Sequence, residues 1–335
     1  MPTRGELGER GRGEGLSEES GPRDGIPDLP WELPSTFLGL EGEEAAWDRS
    51  RAFVLPVPDA ATTSFGGGTR LGPRAILDAS RYVELYDQEL GVEPVELGVH
   101  TLPALELSRE GPAAAMAELE KAYGRILDAA GDRFPILLGG EHSVTGPPVR
   151  VQASRNGGRI SLLQMDAHAD LRASYEGSPH SHASVTHGVL DAADVVAVGV
   201  RGISSPEVEV ARERGVTLIY AEEMAQGEDW MDRALKALGD PVYLTFDVDY
   251  FDPSLIPSTG TPEPGGGHWY PTLRFLRRVF RERTVVALDV VEHAPIPALH
   301  APDFTVAKLV YKLMGYRFEW ELAGGRGRAG GAPAR

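Results

Sequence analysis

The chain has 335 residues, 41% hydrophobic and 25% charged, which are values of an ordinary globular protein long enough to bury a core without disulfide staples. It has no cysteine, and no apolar run approaches the ~20 residues of a membrane span, so a disulfide scaffold and a membrane protein are excluded and a cytoplasmic location is expected. The net charge of −17 repels nucleic acid and anionic membrane and favours a cationic ligand or bound metal ions.

From Met1 to about Pro30 the chain is poor in large apolar residues and rich in Gly, Glu and Pro. It lacks the apolar core of a signal peptide and is expected to stay disordered, as is 323–335. Residues 31–322 read as one catalytic domain. Within it short apolar runs recur as candidate strands: Phe53–Val57, Val95–Val99, Pro135–Leu138, Ile160–Met165, Val195–Val200, Val216–Tyr220, Val242–Phe246 and Val285–Leu288. Most are continuously apolar, the mark of strands buried on both faces. Helical patterns lie between them. Pro112–Ala130 carries Met116, Leu119, Tyr123, Ile126 and Leu127 on one stripe, with Pro112 suited to the first turn and Gly131 to the stop. Thr272–Phe280 directs Leu273, Leu276, Val279 and Phe280 inward. The alternation predicts an α/β fold with a mostly parallel sheet of about eight strands and helices on both faces.

Ligands of such sheets bind at the carboxyl ends of the strands. The run ending at Leu138 leads to Glu141, His142 and Ser143. The run ending at Met165 leads to Asp166, His168 and Asp170. Those ending at Phe246 and Leu288 lead to Asp247 with Asp249, and to Asp289 with Glu292. In an extended chain residues two apart share a side, so Asp166, His168 and Asp170 can converge, as can Asp247 and Asp249. Four carboxylates buried at one sheet edge need counter-charge. Two dications supply it while two neutral imidazoles complete the set. An oxygen-rich set without thiolate suits manganese better than zinc. Glu141 reads either as a support for its neighbouring ligand or as a plain strand-end acid, and Ser143 and Thr145 as helix caps. His100, His187, His268 and His300 match no ligand spacing. Gly66 to Gly68 lacks the Lys and Ser/Thr of a phosphate loop.

Taken in order, these segments, with Ser181 to Ser184, Thr245 to Ser254 and Gly260 to Gly266, resemble the arginase and agmatinase superfamily of ureohydrolases. The resemblance runs from about Arg51 to Arg317. It implies a three-layer α/β/α sandwich with an eight-stranded parallel sheet. It also implies that His142, Asp166, Asp170 and Asp247 hold one manganese and that His168, Asp166, Asp247 and Asp249 hold the other, with Asp166 and Asp247 bridging. The proton shuttle falls at His182, on the polar loop from Arg172 to Ser184, with His180 a solvent-facing neighbour. Glu292 takes the substrate guanidinium. Two metals ~3.5–4 Å apart can share one water, lower its pKa and aim the resulting hydroxide at the guanidinium carbon.

The loop from Tyr175 to His182 and the segment from Val200 to Glu207 look like agmatinases rather than arginases, so agmatine is the expected substrate. Two features depart from that pattern. His293 stands where an apolar residue belongs; strand alternation points it away from Glu292, though it can reshape the pocket wall. The stretch from Ile296 to Phe304 is similar to a branch that includes hydrolases of aminopropyl-agmatine. Aminopropyl-agmatine, guanidinobutyrate and guanidine are therefore alternatives. A one-zinc, deacetylase-like amide hydrolase and a catalytically silent relative are the rivals from other classes. A homo-oligomer, trimer or hexamer, is what the resemblance implies.

Overall fold

The computed structural model describes residues 34–324, so the expected tail at 1–30 and all but the first two residues of that at 323–335 lie outside the described residues. The apolar runs form strands β1 (Ala52–Val57), β2 (Val99–Thr101), β3 (Phe134–Gly139), β4 (Ile160–Met165), β5 (Ala193–Val200), β6 (Thr217–Tyr220), β7 (Val242–Asp247) and β8 (Val285–Val291). The helices are α1 (Gly72–Ser80), α2 (Pro112–Ala130), α3 (Gly146–Arg155), α4 (Ser205–Arg214), α5 (Ala221–Gln226), α6 (Asp229–Ala237), α7 (Trp269–Glu282) and α8 (His300–Leu322).

All eight strands pair in parallel in the order β2-β1-β3-β8-β7-β4-β5-β6. Alternate side chains of each strand enter opposite layers. Val54, Ile136, Leu138, Leu163 and Leu244 pack with α1, α6, α7 and α8. Phe53, Leu55 and Leu137 pack against α2, and Leu162, Val195 and Tyr243 against α3 and α4. The result is the expected three-layer sandwich. α2 has the predicted bounds, and α7 extends the predicted helix by three residues at its start and two at its end.

One expected strand differs. Val95–Leu97 belongs to a single helical turn, Pro94–Leu97, and the edge strand β2 begins only at Val99. Pro94 has the fixed φ of a first helical residue, and Gly98, at φ 71, turns the chain out of the helix.

The strand order carries the functional consequence. β3, β8, β7 and β4 are neighbours at the centre of the sheet, so four segments far apart in sequence end side by side. The turn after β3 packs tightly on the loop after β1 at Gly140. The Gly140 amide donates to the Val57 carbonyl at 2.9 Å, and the Glu141 amide donates to the Asp59 carbonyl at 2.8 Å. A Cβ at position 140 would stand 1.8 Å from that Asp59 oxygen. Backbone would have to shift to admit it, so Gly140→Ala is expected to cost about 1–3 kcal/mol or more. A thermal melt checks this, and an unchanged midpoint would contradict the tight packing of the β1 loop on this turn.

Candidate active site

Past the strand ends the ligand candidates are set by local turns as well as by strand alternation, and His168 keeps a parallel bridge to Gly202. After β7, Asp247 caps the helical turn Val248–Tyr250, its Oδ1 accepting the Asp249 amide at 2.9 Å. After β4, Asp166 Oδ1 accepts the His168 amide at 2.5 Å. Asp170 sits in the left-handed region at φ 51, a backbone state that costs an ordinary residue energy and persists where surrounding contacts impose it. After β3, His142 opens a buried single turn, His142–Thr145. Gly202 passes close beneath the His168 ring, where a Cβ would stand 2.5 Å from its Cδ2.

These turns bring all six predicted ligands together. His142 Nδ1 lies 3.0 Å from Asp170 Oδ2, 3.1 Å from Asp166 Oδ2 and 3.3 Å from Asp247 Oδ2. His168 Nδ1 lies 3.0 Å from Asp249 Oδ2 and 3.7 Å from Asp166 Oδ1. Within each of two groups, His142–Asp166–Asp247 and Asp166–His168–Asp249, the ligand atoms all lie within 4.8 Å of one another. Asp166 is common to both.

The electrostatics show what the cluster lacks. Burial, then the Asp249 and Asp166 carboxylates, push Asp247 well above the carboxylate range. Burial and Asp166 raise Asp170. Burial pulls His168 down, but Asp249 and Asp166 outweigh it and push it up to about 12. Burial pulls His142 down too, but the Asp166, Asp170 and Asp247 carboxylates outweigh it and raise it, whereas both imidazoles hold Asp166 low against its burial. The cluster is short of positive charge.

His142 is oriented for a cation. Its Nε2 lies 2.9 Å from Thr245 Oγ1, which donates its own hydrogen to Asp289 Oδ1 at 2.6 Å. Thr245 can therefore only accept, so the Nε2 proton points to it. Nδ1 is left buried and without a hydrogen-bond partner, facing three carboxylates. An imidazole fixed by its far nitrogen, with the near one among oxygens, is the usual arrangement of a metal-ligating histidine. The residues fit metal ions. Asp289, expected at the strand end beside Glu292, instead lies inside β8 with Tyr243 and Thr245 as its partners.

A cavity of about 290 Å³ opens over the cluster and is lined by five of the six ligand candidates together with His182 and Glu292. The sixth, Asp166, is fully buried. Glu292 follows β8 at φ 62, and its Oε1 accepts the His142 amide at 2.6 Å. Burial, with Glu141 adding to it, pushes Glu292 up to about 8. His180 does not line the cavity. His293 does not either. The left-handed turn at Glu292 ends the strand alternation, and His293 is buried with Nε2 2.8 Å from Asp303 of α8. Ser143 and Thr145 make no cap bonds; Ser143 Oγ donates to Glu141, and Thr145 Oγ1 pairs with Thr245. Sequence reasoning missed the loop after β1, whose Thr63, Ser64 and Gly66 line the cavity; it marked the segments that hold Arg172, Tyr175, Glu207 and Glu263 but gave those side chains no part. The loop after β1 sits at a strand carboxyl end, the signal that found the others, but carries no acid and histidine spacing.

A model of the arginase family matches residues 50–315. The chain belongs to the arginase family. It is therefore a hydrolase acting on carbon–nitrogen bonds. Within the family it is 38% identical over 288 residues to an N(1)-aminopropylagmatine ureohydrolase of Synechocystis, covering 84% of this chain and 94% of that one. It is 40% identical over 282 residues to a protein of the same name from Thermus thermophilus, covering 82% and 93%. The solved agmatine ureohydrolase of Thermoplasma volcanium superposes with a TM-score of 0.74 at 26% identity, covering 83% of this chain and 94% of that one.

Among the described residues, Asp166 is the only side chain in both ligand groups. Asp166→Asn is expected to drop bound metal below one equivalent per chain, measured by elemental analysis after gel filtration. Two retained equivalents would show that Asp166 does not join the two groups.

Proposed function

We propose that this chain hydrolyses the guanidino group of a small cationic substrate to urea and an amine, with agmatine the first reading and putrescine its product. One observation carries the proposal: six oxygen and imidazole ligands converge from the ends of three central strands, β3, β7 and β4, beneath a cavity that also holds His182 and, from β8 between them, Glu292. His142, Asp166, Asp170 and Asp247 would hold one manganese ion, and His168, Asp166, Asp247 and Asp249 the other. Bound there, the ions supply the Lewis acidity that lets a water attack a guanidinium carbon near neutral pH. The complete two-group set is the reason to prefer this reading to a one-zinc amide hydrolase.

The chain's own residues supply the rest. Glu292 commits Oε1 to the His142 amide, which holds the carboxylate still, and presents its other oxygen for charge-assisted hydrogen bonds from the guanidinium. The raised Glu292 is a carboxyl without a cation, and a guanidinium supplies one. His182 takes up the proton released as water adds and delivers it to the departing amine. Its ring stands edge-on to Tyr175, with centroids 5.7 Å apart. The overall balance is one guanidino group and one water to one urea and one amine.

The cavity wall favours an amine tail over a carboxylate. Glu207 and Glu263 line it, and the arginine there, Arg172, is 3.7 Å from Glu207 and lies over the Tyr175 ring. A second reading, N1-aminopropylagmatine, is favoured by the names of the Synechocystis and Thermus relatives. Guanidinobutyrate and guanidine stay in the test panel. A cytoplasmic homo-oligomer, trimer or hexamer, completes the proposal. The lack of cysteine supports the compartment. No described helix is long and apolar enough to cross a membrane.

The test is urea release by the manganese-loaded protein against agmatine, aminopropyl-agmatine, arginine, guanidinobutyrate and guanidine. Urea from agmatine or aminopropyl-agmatine selects between the two readings, and no urea from any of them refutes both. His182→Ala is expected to keep its metal and lose ~10²-fold or more in kcat; full turnover would remove His182 from the reaction. Glu292→Gln is expected to abolish hydrolysis at unchanged metal content, and metal loss there would assign Glu292 to the metal centre instead.

A further inference from the structure

Glu141 lies next to a ligand candidate yet belongs to neither ligand group, and it is fully buried. Both of its oxygens are committed. Oε2 accepts the Thr62 amide at 2.6 Å, and Oε1 accepts the Thr62 hydroxyl at 2.7 Å and the Ser143 hydroxyl at 2.6 Å. Thr62 is in turn the residue against which His182 is held. The His182 amide donates to Thr62 Oγ1 at 3.1 Å, and His182 Nδ1 lies 3.4 Å from the same oxygen. On the other edge of the ring, Nε2 lies 3.2 Å from the hydroxyl of Ser64, which lines the cavity.

The direction of these bonds follows from counting hydrogens. A carboxylate only accepts, so the single hydroxyl hydrogen of Thr62 goes to Glu141. Towards His182, Thr62 can then only accept. An imidazole nitrogen facing an obligate acceptor has to carry the proton. Ser181 Oγ also lies 3.3 Å from Nδ1, but its hydroxyl is free to turn either way and selects nothing. Ser64 can donate to Nε2.

We propose that Glu141 is a positioning residue that acts through Thr62 to hold His182 in one tautomer, with the proton on Nδ1 and the Nε2 lone pair on the Ser64 side of the cavity. The inference rests on the reading of His182 as the group that carries the proton. In this tautomer the nitrogen nearer the cavity is the one able to take up a proton and pass it to the leaving amine, while Nδ1 stays anchored to the protein. The opposite tautomer would turn an N–H to the cavity and leave no lone pair there.

The experiment compares Thr62→Val, which keeps the shape and the backbone amide but loses the hydroxyl, with Thr62→Ser, which keeps both polar groups. Thr62→Val is expected to lose ~10-fold or more in kcat, with KM and metal content within about twofold of the native chain, and Thr62→Ser is expected to restore most of the loss. Adding Glu141→Gln to Thr62→Val is expected to lower kcat by less than about twofold further, because both changes break one relay. With histidine labelled by ¹⁵N and the His182 signals assigned by their absence in His182→Ala, the native chain and Thr62→Ser are expected to show the proton on Nδ1, and Thr62→Val to lose that preference. An undiminished kcat in Thr62→Val, additive losses in the double variant, or a native His182 protonated on Nε2 would each overturn the relay. A native chain that makes no urea, or a fully active His182→Ala, would instead remove the reading on which the relay rests, and the relay with it.

Discussion

Four carboxylates and two imidazoles are crowded at the carboxyl ends of the central parallel strands, and the rest of this molecule is arranged around that crowding. Buried like charges repel strongly at low dielectric. Here Asp247 and Asp170 are pushed upward by burial and by their neighbours, and His168 is driven up to about 12 by the acids around it. Such a cluster is costly as pure architecture. It becomes favourable when divalent cations supply the missing charge, so the fold has to deliver the ligands rigidly enough to hold them in wait for metal. The central strands do this. Asp170 and Glu292 both accept left-handed backbone to aim their side chains, a local strain that the packed sheet beneath them sustains.

Two short relays refine the arrangement by the same logic. In each a buried carboxylate takes the only hydrogen of a threonine hydroxyl, leaving that hydroxyl to accept from an imidazole. Asp289 acts through Thr245 on His142, and Glu141 acts through Thr62 on His182. The first directs a lone pair at the ligand cluster, and the second sets the ring that faces the cavity. A hydroxyl alone could turn either way; the carboxylate behind it removes the choice. This accounts for acids that line neither metal group yet are buried completely.

Charge also organises the route to the site. The chain carries 17 more negative than positive charges, and several acids line the cavity over the cluster. Arg172, the arginine on that wall, is already engaged by Glu207 and Tyr175. The wall therefore offers little to a substrate carboxylate and much to a cation, in keeping with a guanidino compound whose far end is an amine.

The sequence by itself determined a good deal. Continuous apolar runs marked seven of the eight strands, since a strand covered on both faces excludes most polar side chains, and the stripe of α2 set its bounds from Pro112 to Ala130. The acids and histidines after those runs marked all six ligand candidates, because strand ends in parallel sheets collect in one place. Other features were decided only in three dimensions. Val95–Leu97 has a strand composition, yet Pro94 and Gly98 bend it into a helical turn. Asp289 and Glu292 look alike beside β8, but three more residues of strand put one under the sheet edge and a left-handed turn puts the other in the cavity. Thr62 carries no signature, and Thr245, though it opens a recognised segment, has none for this part. Their role lies in which hydrogen goes to which acceptor, and that depends on partners 79 and 44 residues away, brought within bonding distance only when the strands align.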